Sequence, residues 1–227
     1  MRINKYIATS GFCSRRQADE YIQNKQVTLN GEIAQLGDQV QSGDIVLVDG
    51  KKIRKKARHV YLLFYKPVGL ICTTDTSKKD NIIDYINYPE RVFPVGRLDV
   101  QSSGLILLTN DGDFSQKILR PEYHIEKEYY VRVDQKITSS FISILKKGVD
   151  IGDGYRTRQA EVRKLGAKSF TITLTEGRNR QIRRMCDALG YNVVQLRRIR
   201  IAFLGIEGLN VGEFRHISSK EVYKLLH

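Results

Sequence analysis

The apolar positions of this chain fall in short runs separated by Gly, Asn, Asp and Ser clusters. Residues 2–8 read as a short helix. Ser14 can cap a second helix, with Gln17 three residues on completing a capping box, and the apolar spacing carries that helix through Ala18 and Ile22 to about Lys25. Val27-Thr28-Leu29 then reads as a strand ending at an Asn30-Gly31 turn, and Ser42-Gly43-Asp44 marks another turn before the apolar run 45–48. From residue 60 onward, strands are expected at about 60–65, 69–73, 104–109, 127–133, 159–165, 169–175 and 192–202. Helices are expected at about 81–86, 113–119, 138–147, 179–189 and 218–226. Strands outnumber helices and do not alternate with them strictly, so the expected class is α+β with a mixed sheet, not a doubly wound one.

These patterns divide the chain into a small αβ module at 1–48, a basic linker at 49–59 and a larger domain at 60–227. The linker holds six of the 38 Lys and Arg residues, as a solvated connector or a segment touching RNA. A length of 227 residues allows one large domain or one small plus one medium domain, and 41% hydrophobic residues suffice for a core. The formal charge of +13 bears on partners and makes nucleic acid or an anionic surface the usual ones. Residues 1–59 carry 11 Lys and Arg against 6 Asp and Glu, so the short module is expected to be denser in positive charge than the rest. No apolar run approaches the roughly 18–20 residues of a membrane span, and the N-terminus lacks a signal-peptide pattern, so no membrane partner and a cytoplasmic location are expected. Cys13, Cys72 and Cys186 are far apart and form no CxxC, which points to buried free thiols and to no metal site. The four histidines are scattered and take no role.

Three stretches could carry chemistry. In the first, Gly96-Arg97-Leu98-Asp99-Val100-Gln101-Ser102-Ser103, a carboxylate sits in a polar loop beside an arginine, just before a short buried strand. A loop anchored to a rigid strand holds a reactive group in place. The second is Thr175-Glu176-Gly177-Arg178-Asn179-Arg180-Gln181-Ile182-Arg183-Arg184-Met185-Cys186, a strand end that turns into a helix, with Asn179 as the expected cap and Gly190 as the stop. Ile182, Met185, Cys186 and Leu189 form its core-facing stripe. Arg183 lies at the border of that stripe, with Arg180 and Arg184 further toward solvent. A border arginine can reach a partly buried carboxylate such as Asp99, keeping it anionic and directed; the alternative is a solvated arginine on an RNA-facing helix. In the third, Lys127-Glu128-Tyr129-Tyr130-Val131-Arg132-Val133, alternation puts Tyr129 on one face and Tyr130 on the other. Either tyrosine packs within the sheet or stacks on an extruded base. There is no Walker A loop, no convincing GxGxxG and no GxSxG, so the sequence gives no case for a nucleotide cofactor.

Gly96-Arg97-Leu98-Asp99 followed by Ser103-Gly104-Leu105-Ile106-Leu107-Leu108-Thr109-Asn110 resembles the signature of the RsuA-type RNA pseudouridine synthases, the group that includes RluB, RluE and RluF. Lys127-Glu128-Tyr129 resembles that family's tyrosine motif, and the stretch 178–185 its third motif. Residues 1–48, with Leu29-Asn30-Gly31 and Gly43-Asp44, resemble an S4 RNA-binding module. The segments 92–99 and 179–186 most resemble the RluF branch. The resemblance implies a mixed, mostly antiparallel sheet with flanking helices and a central RNA cleft. It implies Asp99 as nucleophile, Tyr129 stacked on the target base and Arg183 paired with Asp99. RNA contacts would come from Arg97, Arg178, Arg180 and Arg184, and from Lys5, Arg15, Arg16 and Asn30 of the S4 module. No cofactor or metal would be used. The partner would be an rRNA hairpin, of the large subunit first, with small-subunit rRNA or tRNA left open, acted on by a monomer. The competing readings are a non-catalytic S4-type binding protein and an S4-linked methyltransferase; the latter needs a glycine-rich cofactor loop.

Overall fold

Ser14 accepts a hydrogen bond from the Gln17 backbone N–H at 3.1 Å, and the Gln17 carboxamide accepts one from the Ser14 N–H at 3.0 Å. The reciprocal cap expected from their spacing therefore forms. It opens α2 (Arg15–Gln23), which follows α1 (Ile3–Thr9). The computed structural model describes residues 1–54 and 58–227. Strands β1 (Val27–Leu29), β2 (Glu32–Ile33), β3 (Val46–Val48) and β4 (Lys51–Ile53) form an antiparallel sheet in the order β2-β1-β3-β4. Asn30 (φ 53°) and Gly31 (φ 93°) are both left-handed, as a two-residue hairpin turn between β1 and β2 requires. Ile3, Ile7, Ala18, Ile22, Val46 and Ile53 bury together as the core of this unit.

Strand β4 lies inside the stretch expected as a linker. Asp49 and Gly50 make a second left-handed turn, and Ile53 alone buries its side chain while Lys51 and Lys52 stay exposed. One apolar residue in register is enough to extend a hairpin, and composition alone does not register it. Residues 55–57 of the expected linker lie outside the described residues. The first compact unit comprises Met1–Val60, Tyr88–Val92 and Asn110–Gly112.

The second unit runs in the order β5 (Tyr61–Lys66), α3 (Ile82–Ile86), β6 (Phe93–Val95), β7 (Ser103–Thr109), α4 (Gly112–Leu119), β8 (Lys127–Val133), α5 (Ser139–Lys147), β9 (Glu161–Lys164), β10 (Ser169–Leu174), α6 (Gln181–Asp187), β11 (Val193–Ile201), β12 (Leu204–Gly205), β13 (Phe214–His216) and α7 (Ser219–Leu226). Its nine strands form one sheet, ordered β13-β5-β7-β11-β8-β10-β9, with β6 paired to β7 and β12 to β11. The β7–β11 pairing is parallel and the others are antiparallel, the mixed and mostly antiparallel sheet expected. Phe141 and Leu145 of α5 and Ile182, Met185 and Cys186 of α6 pack on one half, against Val131 and Phe170. Phe114 and Ile118 of α4 and Leu225 of α7 pack on the other, against Leu63, Leu105 and Leu107. Full burial of each such side chain contributes about 1.5–3 kcal/mol. All three cysteines are free and buried, and burial pushes the Cys186 thiol up to about 12.

The parallel seam between β7 and β11 needs a glycine. Gly104 pairs with Arg198 at φ +112°, and a Cβ there would sit 2.2 Å from the Arg198 carbonyl oxygen.

Two expectations are corrected. Residues 69–73 form no strand, only a bridge between Ile71 and Asn81. Gly69 is left-handed at φ 100°, and the segment's backbone bonds go to Asp80, Ile82 and Val100. Buried Leu70 and Cys72 thus shape a loop wall and not a sheet. The helix expected over 179–189 is shorter, Gln181–Asp187, and its cap is Arg180 at φ 50°, not Asn179. Gly190 (φ 78°) closes the turn that follows, where the Tyr191 N–H returns to the Cys186 carbonyl.

Candidate active site

The loop between β6 and β7 carries Asp99 and is tied down from three sides. The Ser102 N–H donates to the Asp99 carbonyl at 3.0 Å, and the Gly69 N–H to the Val100 carbonyl at 2.8 Å. The Leu98 N–H points at the Cys72 sulfur at 3.4 Å. The Asp99 carboxylate, 27% exposed, lies 3.6 Å from Nε of Arg183, whose side chain is 14% exposed. Arg183 is itself fixed. Its Nη1 donates to the Val193 carbonyl at 3.0 Å, and its Nη2 to the Gln101 carbonyl at 3.0 Å. Its Nε is buried with no hydrogen bond among the described residues, so Asp99 faces it as an electrostatic partner. Burial pushes the guanidinium pKa down, and Asp99 opposes that.

Tyr129 on β8 shares a crevice with Asp99, Ser102, Arg97, Arg178 and Arg180. A broader cleft of about 540 Å³ also includes Asp99, with Cys72, Arg97 and residues 177–180 on its walls. The structure therefore brings Asp99, Tyr129 and Arg183 together. Arg97 and Arg180 are exposed, and neither guanidinium has a hydrogen bond or ion pair among the described residues.

Other expected RNA contacts are placed differently. Arg184 forms a 2.6 Å ion pair with Asp153 and bonds the Ile151 carbonyl, so it holds the 151–153 loop. Asn30 spends both ends of its amide within its own unit, donating to Asp44 and accepting from the Ile45 N–H, each at 2.9 Å. Arg15 and Arg16 are exposed on α2, with Arg15 3.4 Å from Asn4, and Lys5 is half-buried. Residues 1–48 carry 5 Lys and Arg and 5 Asp and Glu, so the positive excess credited to the N-terminal module lies in the segment 49–59.

Two site residues escaped the sequence reading. Lys66 is fully buried, and its ammonium donates to the carbonyls of Pro67 at 2.8 Å and Leu70 at 2.9 Å. Burial lowers its pKa, while Cys72 and Asp99 hold it up. It clamps the turn that packs behind the Asp99 loop; its only signal was a lone lysine closing the run Tyr61–Tyr65 before Pro67. Arg198, 4% exposed, directs Nε to the Leu105 carbonyl and approaches the Tyr129 hydroxyl at 3.5 Å. In the sequence it is one of several arginines in a basic strand, and nothing there marks it as inward-facing.

Lys127, two residues before Tyr129 on β8, gives a pH-dependent prediction. Burial pushes its amine down from the ordinary 10.5 to about 8, with Arg198 adding to the shift. The unfolded chain therefore binds more protons between those values, and stability rises with pH across that window. Below pH 8 the fold carries a half-buried ammonium, held only by the Ile125 carbonyl at 2.9 Å among the described residues. Lys127→Met removes this dependence. Urea unfolding from pH 7 to 10.5 is expected to show wild type gaining on the variant by on the order of 2–3 kcal/mol; parallel stability profiles would contradict it.

A family model described as RNA pseudouridylate synthase matches residues 60–188, and an S4 domain model matches residues 1–46. The chain is 47% identical over 227 residues to the dual-specificity RNA pseudouridine synthase RluF of Escherichia coli (strain K12), covering 99% of this chain and 78% of that protein. It is 38% identical over 232 residues to the ribosomal large subunit pseudouridine synthase B of Bacillus subtilis (strain 168), covering 99% and 95%. A solved structure described as a pseudouridylate synthase superposes with a TM-score of 0.74 at 31% identity, covering 99% of both chains.

Proposed function

This chain belongs to the RNA pseudouridylate synthase family, as an isomerase with an S4 domain, and from that premise we propose that it converts a uridine of large-subunit 23S rRNA to pseudouridine with Asp99 as the nucleophile. The observation that carries this reading is the 3.6 Å approach of Asp99 and Arg183 in a cleft that Tyr129 and three arginines share. The reaction breaks the N1–C1′ bond, turns the uracil and joins C5 to C1′. The proton lost from C5 is balanced by the one gained at N1. Asp99 attacks C1′ and expels uracil, or accepts the C2′ proton on a glycal route; both use the carboxylate form. Arg183 holds that carboxylate in one direction. Tyr129 offers a face to the uracil once it leaves the stack. Arg97, Arg178 and Arg180 meet the phosphates around it. Lys5, Arg15 and Arg16 of the S4 domain hold the flanking stem. One chain supplies Asp99, Tyr129 and Arg183, so a monomer suffices, acting in the cytoplasm.

The large-subunit substrate is supported by the name of the Bacillus subtilis relative, and the dual-specificity name of the Escherichia coli one makes a second RNA class worth comparing. Mapping pseudouridines in 23S rRNA, 16S rRNA and tRNA from cells with and without the gene tests this. A 23S position is expected to lose its pseudouridine and to regain it with the wild-type gene. Loss confined to tRNA or 16S rRNA would overturn the substrate, and no loss anywhere would overturn the cellular activity.

A further inference from the structure

Residues 175–180, between β10 and α6, carry Arg178 and Arg180 to the cleft, and the loop is built on a carboxylate that the reaction above does not use. The Glu176 side chain is only 8% exposed. Its Oε2 accepts from the Tyr155 hydroxyl at 2.6 Å. Its Oε1 accepts from the Gln181 amide at 2.7 Å and from the Arg158 backbone N–H at 3.1 Å. The buried Gln181 uses its other end as well, since its Oε1 accepts from the Arg178 N–H at 3.0 Å. The Tyr155 ring lies under the Arg178 guanidinium, whose Cζ is 3.3 Å from the ring centroid. Both the backbone and the side chain of Arg178 therefore lead back to Glu176.

This geometry leaves Arg178 ready for an anion. A guanidinium stacked face-on against a ring keeps its in-plane N–H donors open, and those donors match the fork of a phosphate. Arg178 is exposed and lines the same crevice as Asp99. We propose that Glu176 is a positioning residue of the isomerase: through Tyr155 and Gln181 it holds Arg178 as a clamp for an RNA phosphate beside the nucleotide at Asp99. The proposal rests on the reading of the Asp99 cleft as the place where RNA is turned over. Glu176 accepts these three hydrogen bonds and faces the Arg158 Nε at 3.8 Å; a carboxamide there loses the charge that pairs with Arg158 and the charge-assisted bond from Tyr155, and keeps a Tyr155 bond only by turning that hydroxyl round, which loosens the clamp.

The test compares wild type with Glu176→Gln, Tyr155→Phe, Arg178→Ala and the Glu176→Gln/Arg178→Ala double variant, using an rRNA stem-loop substrate. Glu176→Gln and Arg178→Ala are each expected to raise the half-saturating RNA concentration about tenfold and to lower the slope of log affinity against log salt by about one. The double variant is expected to be no worse than the more damaged single one, because both changes disable the same clamp. Tyr155→Phe keeps the ring and loses only the hydroxyl, so it folds where Glu176→Gln fails to, with a loss of about threefold in affinity. Multiplying effects in the double variant, or an unchanged salt slope in Glu176→Gln, would overturn the proposal; if that variant does not fold, wild-type affinity and slope in Tyr155→Phe would overturn it. Salt slopes are read from binding alone, so a failure of the Asp99 reading shows separately, as turnover retained in Asp99→Asn.

Discussion

Asp99→Asn is expected to lower single-turnover pseudouridine formation by about 10⁴-fold or more while RNA affinity stays within about threefold. The two effects separate because the carboxylate contributes to a bond change and not to holding a polyanion. Asn matches Asp in shape, and the loop's ties run through the backbone: Ser102 N–H to the Asp99 carbonyl, Gly69 N–H to the Val100 carbonyl, Leu98 N–H to Cys72. None of them uses the carboxylate, so the loop keeps its form in the variant. Single-turnover conversion of a labelled rRNA fragment, with filter binding on the same RNA, measures both quantities. Conversion at the wild-type rate by Asp99→Asn would remove Asp99 from the chemistry.

Substituting Arg183 is expected to have the next largest effect. Arg183→Lys keeps a cation near Asp99 but loses the fork that reaches the Val193 and Gln101 carbonyls at the same time. A lysine on this half-buried stem has no planar geometry to fix its direction, and the carboxylate shifts with it. A displacement of about 1 Å at a reacting group costs about 10²-fold in rate, which is the expected loss. Arg183→Ala also leaves two carbonyls without donors, and the fold is expected to lose roughly 1–3 kcal/mol in addition. Turnover together with urea unfolding separates the contributions: the lysine variant should lose rate with little stability, and the alanine variant both. Wild-type turnover in both variants would show that the ion pair is structural.

The parts that were legible share one property: each depends on residues close in sequence. The Ser14–Gln17 cap, the Asn30-Gly31 hairpin, the strand Ser103–Thr109 and the apolar stripe of α6 follow from local spacing, and each forms. The failures have local causes of another kind. The 69–73 segment has the residues of a strand, but its backbone is bonded to Asp80, Ile82 and Val100 instead of to a strand. Arg180 caps α6 in a left-handed conformation that arginine rarely adopts, so no propensity rule would choose it over Asn179. Arg184 and Asn30 have the right chemistry for RNA, and local spacing does not show that Arg184 Nη2 also pairs with Asp153 or that the Asn30 amide also donates to Asp44.

By itself the sequence determined the α+β class, the two-part organisation and the three stretches from which the site is drawn, because hydrophobic period and turn chemistry act over a few residues. Only the tertiary structure decided which groups meet. It set Arg183 against Asp99, buried Lys66 behind the loop, turned Arg198 inward toward Tyr129 and hung Arg178 on Glu176. The reason is that a charged side chain carries no periodic signal of its partner. Its direction is set by the strand register and helix packing that bring distant segments together, and by the cost of burying a charge that finds none.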